Sequence, residues 1–191
     1  GCCILQERMQ KSVPPFGNST QWAKSRTENS RADYITVAWN RRGDLCMILE
    51  FCKTDSRAKT PFRATEGSAG YDLYALLEQP ITIAPGERVR IGTGIAISIP
   101  SSEYAAFVYA RSGIATKRGI IPANCVGVID SDYRGEILVT LTNIGKDPYT
   151  VEPFERIAQM ILAPVCLPEL REVPMLDATE RGTDGFGSTG K

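Results

Sequence analysis

Ile95, Ile97 and Ile99 alternate with Ala96, Ser98 and Pro100. Side chains two positions apart share one face of a strand, so this period predicts a β-strand. Ile137, Val139 and Leu141 alternate with Leu138, Thr140 and Thr142 in the same way. Shorter apolar runs, rich in β-branched residues, occupy 46–51, 81–83, 89–91, 105–109, 126–129, 149–151 and 157–162, and these also read as strands. Turn formers separate them: Ala84-Pro85-Gly86-Glu87, Pro100-Ser101-Ser102, Gly145-Lys146-Asp147-Pro148 and Glu152-Pro153. The one helical candidate is the short stretch 112–117. Many short strands with one brief helix predict an all-β sandwich or barrel.

The pattern is absent at both ends. Residues 1–46 are rich in Ser, Thr, Asn, Gln and Arg, and Pro14-Pro15-Phe16-Gly17 breaks any helix. This stretch is expected to be a disordered extension, followed by a β domain over 47–180. Residues 181–191 are glycine-rich with one large apolar side chain, Phe186. They cannot build a core and read as a flexible arm that orders around something else. Pro164, Pro168 and Pro174 before the arm favour an extended chain able to reach a neighbour.

Charge and composition narrow the chemistry. Twenty-two Lys and Arg balance 22 Asp and Glu, which gives no general pull toward nucleic acid or a membrane surface. No apolar run approaches the length of a bilayer span. Residues 1–46 lack the basic-then-apolar order of a secretory signal, and a transit peptide there stays open. Histidine is absent, which excludes Ser-His-Asp and Cys-His nucleophiles and His-containing zinc sites. A proton acceptor near neutral pH must be a carboxylate or a perturbed Lys, Cys or Tyr. The six cysteines, Cys2, Cys3, Cys46, Cys52, Cys125 and Cys166, form no Cys-x-x-Cys. They read as reduced thiols in an intracellular compartment, cytoplasmic or nuclear.

The densest chemistry lies in residues 127–136, Gly-Val-Ile-Asp-Ser-Asp-Tyr-Arg-Gly-Glu. A strand ends there in Asp130 and Asp132, with Tyr133 and Arg134 beside them. A turn at Gly135 then leads to the strand from Ile137, so the run is expected to close a hairpin. Five polar or charged residues and an aromatic exceed what such a turn needs. Alone, the run is equally compatible with a solvated loop.

Four further runs surround it in order. They are Ala69-Gly70-Tyr71-Asp72-Leu73-Tyr74, Ala110-Arg111-Ser112-Gly113-Ile114-Ala115, Glu155-Arg156-Ile157-Ala158-Gln159-Met160, and 181–190. Together the five resemble the ordered motifs of the homotrimeric deoxyuridine triphosphatases (dUTPases), over residues 47–191. The resemblance implies a distorted jelly roll that trimerises, with active sites shared between chains. It implies Mg²⁺-dependent hydrolysis of dUTP to dUMP and pyrophosphate. That reaction keeps uracil out of DNA and supplies dUMP for dTMP synthesis.

It also implies residue roles. Asp130 holds the attacking water; an ordinary Asp is a weak base, so it must act by positioning. Asn124 with the Gly127, Val128 and Ile129 strand reads the uracil edge, and Tyr133 lies against the deoxyribose. Arg111, Ser112, Gly113 and Gln159 bind the triphosphate. In the arm, Phe186 covers the base while Arg181, Gly187, Ser188 and Thr189 bind the terminal phosphates. Asp72 holds metal-bound water, the Mg²⁺ itself resting mainly on phosphate oxygens. Arg156 is structural in this scheme.

Each position also has a plainer reading. Asp72 suits a turn after Gly70-Tyr71, Ser112 an ordinary helix cap, and Gln159 a satisfied core amide. Residues 185–191 fit the first seven positions of the P-loop pattern, but no strand precedes them and no metal-binding hydroxyl or helix follows. Within the same fold, the dCTP deaminase branch places a catalytic Glu by the pyrimidine, whereas residues 127–136 match the triphosphatase form. A catalytically dead nucleotide- or protein-binding relative is the non-enzyme alternative, against which all five motifs stand intact. Asp184 puts a negative charge in the arm where the family carries a small or neutral residue.

Overall fold

The computed structural model describes residues 37–39 and 45–183. Its elements run β1 (Val37–Trp39), β2 (Leu45–Met47), β3 (Glu50–Lys53), β4 (Tyr71–Tyr74), β5 (Ile81–Ile83), β6 (Arg88–Gly92) and β7 (Ile95–Ser98). There follow β8 (Tyr104–Tyr109), α1 (Ser112–Arg118), β9 (Ile120–Pro122), β10 (Gly127–Ile129), β11 (Leu138–Asn143), β12 (Tyr149–Val151) and β13 (Arg156–Pro164). The architecture is an all-β, distorted jelly roll with one short helix. Among the described residues, no helix is long and apolar enough to cross a membrane.

A four-stranded sheet in the order β10-β8-β13-β4 and a three-stranded sheet in the order β6-β11-β9 form its main surfaces, with β12-β5 and β3-β7 as two-stranded pieces. The core between them is aliphatic. Leu73, Ile83, Ile91, Ile95, Ile120, Leu141, Ile157 and Met160 are all essentially buried, each worth about 1.5–3 kcal/mol by removal from water. The alternation from Ile137 follows this division: Ile137, Val139 and Leu141 are buried while Leu138 is half exposed.

Several boundaries differ from the sequence reading. β1 lies inside the stretch expected to be unstructured, and it pairs antiparallel with β2, Val37 opposite Met47. The apolar run at 46–51 is divided between β2 and β3. Asp72 sits within β4, paired with Gln159 of β13, and not in a turn. Most consequential, β10 and β11 do not form a hairpin. β10 pairs with β8, whereas β11 pairs with β6 and β9. Residues 130–137 therefore cross from one sheet to the other, and a crossing needs the length that a tight hairpin turn does not.

The helix ends as its sequence dictates. Gly119 caps it at φ 71°, its N–H bonding Ala115 O. A side chain there is doubly barred, since left-handed backbone disfavours one and a Cβ would lie 2.5 Å from the Gly145 nitrogen.

Candidate active site

The 130–137 crossing borders a cavity of about 510 Å³. Asn124, Gly127, Val128, Ile129, Asp130 and Tyr133 line it together, with Glu136 and Arg88 also in the lining. Local backbone brings these groups together. Cys125 N–H bonds Pro122 O at 2.9 Å and Val126 N–H bonds Asn124 O at 2.7 Å, with Cys125 at φ 62°. This tight turn presents Asn124 at the rim. A Cβ on Gly127 would lie 3.2 Å from Val108 Cβ, tighter than most Cβ contacts, so glycine lets β10 lie close against β8. Ile129 turns into the core, which leaves the next residue, Asp130, exposed at the strand end.

The crossing is held at several points. Tyr133 N–H bonds Asp130 O at 3.1 Å, and the Tyr133 hydroxyl donates to Glu136 O at 3.0 Å. The Tyr133 ring packs over Gly135, where a Cβ would meet its Cζ at 2.6 Å. Gly94 N–H donates to Glu136 Oε1 at 2.7 Å. Thr93, itself buried, donates to Ile137 O at 2.8 Å. Of the two carboxylates lining the cavity, Glu136 is thus tied to backbone. Among the described residues, none donates to the carboxylate of Asp130.

A second cluster forms on the outer face of the four-stranded sheet. Asp72 pairs with Gln159, and Gln159 with Tyr109, so the three lie in one row. Arg111 Nε donates to Asp72 Oδ1 at 2.7 Å, and Arg156 Nη1 to Asp72 Oδ2 at 3.1 Å. Arg111 Nη1 also reaches Arg156 O at 3.3 Å. Gln159 Nε2 donates to Ala110 O at 2.9 Å, and a Cβ on Gly70 would lie 3.0 Å from Gln159 Oε1. Arg111 is the N-cap residue of α1 and makes no side-chain cap hydrogen bond; Ser112 and Gly113 open the helix and are exposed. Arg156, structural in the sequence reading, joins this cluster through its bond to Asp72.

Register separates the two groups. Ile129 lies opposite Ala106, and Asp130 continues toward the start of β8, whereas Arg111 follows its end. The intervening six residues of strand span roughly 20 Å at 3.3 Å each. Phe186, Gly187, Ser188 and Thr189 lie outside the described residues, as does Asp184. Arg181 is described and follows a run without helix or strand, 165–180.

Among the described residues there is no cluster of three or more acidic or thiol groups fit to cage a metal. Asp72, though bonded twice, retains capacity: an ionised carboxylate has about four acceptor directions, and the two arginines use two of them.

Comparison with known proteins places this geometry in a family context. The family pattern described as dUTPase matches residues 56–190. A deoxyuridine 5'-triphosphate nucleotidohydrolase from Desulfitobacterium hafniense is 51% identical over 142 residues, 74% of this chain and 94% of the relative. One of the same name from Alcanivorax borkumensis is 45% identical over 131 residues, 69% of this chain and 87% of the relative. Among solved structures, the Staphylococcus bacteriophage 80alpha dUTPase with dUpNHpp superposes with a TM-score of 0.68 at 27% identity, covering 75% of this chain and 99% of its own.

Proposed function

The chain belongs to the dUTPase family and hydrolyses dUTP, and on that premise we propose how its residues divide the work. The cavity beside β10 takes the deoxyuridine. Asn124 and the backbone of Gly127, Val128 and Ile129 face the uracil edge, which needs an acceptor for N3–H and donors for the carbonyl oxygens. Cytosine reverses that pattern at position 4, so a closely fitting site leaves buried groups unpaired with the wrong base. Tyr133 lies against the sugar and leaves no room for a 2′-hydroxyl.

Asp130 holds a water in line with the α–β anhydride of the bound triphosphate. Its carboxylate accepts from that water and orients its lone pair toward phosphorus. The observation that carries this assignment is the position of Asp130: exposed at a strand end inside the cavity, with its carboxylate uncommitted while Glu136 is bound to Gly94 N–H. Arg111, Ser112, Gly113 and Gln159 receive the phosphates. Asp72 orients Arg111 and would help hold, through water, a Mg²⁺ that comes with the triphosphate. That ion would withdraw charge from the phosphates as the bond breaks.

The site is completed between copies of the chain. A gap of roughly 20 Å along β8 separates Asp130 from Arg111 in one chain, so a single triphosphate reaches both only if they come from different copies. The outer sheet face supplies a surface for such contact. Val128, Phe107 and Ile161 lie in one row across three strands, and Val128 is 61% exposed. The run after β13 also leaves Leu167, Leu170, Met175 and Leu176 exposed. A closed three-fold trimer covers both, with the 181–191 arm crossing to close a neighbour's site, Phe186 over the base, and Arg181, Gly187, Ser188 and Thr189 on the phosphates. Hydrolysis in a reducing, intracellular setting would limit uracil in DNA and supply dUMP; exposed thiols at Cys52, Cys125 and Cys166 suit that setting.

Pyrophosphate release from dUTP, with dCTP and UTP as controls, tests the reading. Release from dUTP alone is expected. Comparable turnover of UTP would remove the role given to Tyr133, and of dCTP the role given to Asn124 and β10.

A further inference from the structure

Arg134 is the cation of the 130–137 crossing, yet it does not face the cavity. Its Nη1 folds back to donate to Ser131 O at 2.7 Å and to Tyr133 O at 2.9 Å. Both hydrogens of one nitrogen are thereby committed to the two carbonyls that flank Asp132. On its other side Arg134 lies against a separate apolar groove of about 660 Å³, with Leu49, Phe51 and Ile97. Long basic side chains commonly rest an apolar stem on such surface while the head reaches polar groups. The crossing is fixed by Thr93 and Gly94 at its Ile137 end. Toward Asp130, its ties are the Tyr133 N–H bond and this guanidinium.

We infer that Arg134 is a positioning residue: it pins Ser131 O and Tyr133 O against the β3–β7 edge and so sets where Asp130 and the Tyr133 ring stand in the cavity. The inference rests on the assignment of Asp130 as the water-holding group. It makes the β3–β7 groove a support for the catalytic crossing, and it gives a role to an arginine that does not line the cavity.

The decisive variant is Arg134→Met, which keeps an apolar stem on the groove and removes the donors. Its kcat for dUTP is expected to fall about tenfold to a hundredfold with KM moving less, the order of loss that follows from a misplacement of about 1 Å at a reacting group. Added guanidinium should restore part of it. In combination with Asp130→Asn, Arg134→Met should lower the residual turnover no further, because a residue acting through another loses its effect when that other is gone. An unchanged kcat, a loss that guanidinium leaves untouched, or a loss that simply multiplies with that of Asp130→Asn would each overturn the inference. Should Arg134→Met not fold, Arg134→Lys carries the test. One ammonium offers three hydrogens and can serve both carbonyls, so kcat is expected to survive, and its collapse in a folded Lys variant counts against the role. Should Asp130→Asn itself keep full activity, the assignment of Asp130 fails first, and it does so independently of Arg134.

Discussion

Arg111 and Asp72, 39 residues apart, meet through Nε and Oδ1 at 2.7 Å with both side chains largely covered. The bond uses the inner nitrogen of the fork and, among the described residues, leaves Nη2 without a hydrogen-bond partner, while Nη1 is steadied by Arg156 O. Arg156 takes the other Asp72 oxygen. One carboxylate therefore sets the direction of two guanidiniums. Asp72→Asn keeps the shape but loses the charge and presents an N–H to one arginine. Its kcat/KM for dUTP is expected to drop about ten- to hundredfold, as misdirected positioning groups cost. Steady-state kinetics measure it, and parental kcat/KM would show that Arg111 needs no such guide.

Asp130→Asn should leave the fold and dUTP affinity in place and lower kcat by several orders of magnitude. The amide is nearly isosteric, but its nitrogen cannot accept from water. Binding by calorimetry alongside single-turnover hydrolysis separates the two effects. Turnover within about tenfold of the parent would remove Asp130 from its role, since general base positioning is worth about 10²–10⁴ in rate.

Asn143 is a structural test case outside the site. Fully buried, it donates from Nδ2 to Ile83 O at 2.9 Å and to Asp147 O at 2.8 Å, and accepts from Gly145 N–H at 2.8 Å. Asn143→Ala strands three backbone groups, and a loss of about 2–4 kcal/mol is expected from urea unfolding. Activity per folded molecule should be unchanged.

Tyr149 gives a pH signature. Burial first, then the hydrogen bond its hydroxyl donates to Glu155, pushes it up from 10.0 to about 12. The folded state thus holds the proton more tightly than the unfolded chain. The contribution is complete below pH 10 and is lost as pH rises from 10 to 12. Tyrosinate absorbance of the folded protein should show a step near pH 12 that disappears in Tyr149→Phe. A Tyr149 phenolate already formed at pH 10, read as the difference from Tyr149→Phe, would contradict the contact with Glu155.

How far the sequence reached depended on what held each element. Strands stabilised by their own apolar face, such as β7 and β11, were legible because Ile95, Ile97, Val139 and Leu141 are the core. β4 was not, because Asp72 is disfavoured in strands and is kept there by Arg111 and Arg156, which lie far along the chain. β9 is three residues ending in Pro122, too short and too punctuated to register. β1 is held by pairing with β2, which local pattern does not report. Residues 127–136 could be singled out from the sequence, yet their geometry could not. Whether β10 folds onto β11 or onto β8 depends on long-range pairing, and that pairing decides that Asp130 and Arg111 stand at opposite ends of one strand.

That separation makes the shared site the central claim, and one mixing experiment tests it. Two inactive variants are prepared: Asp130→Asn with its arm, and a chain truncated after Glu180 with Asp130 intact. They are unfolded and refolded together in equal amounts, and mixed assemblies are confirmed by mass. A working site needs Asp130 from a truncated chain and an arm from an Asp130→Asn chain. Random assembly into a closed three-fold ring should therefore restore about a quarter of the parental sites. Activity that stays at the level of the separate variants in confirmed mixed trimers would mean that each arm closes over its own chain, contradicting the shared site.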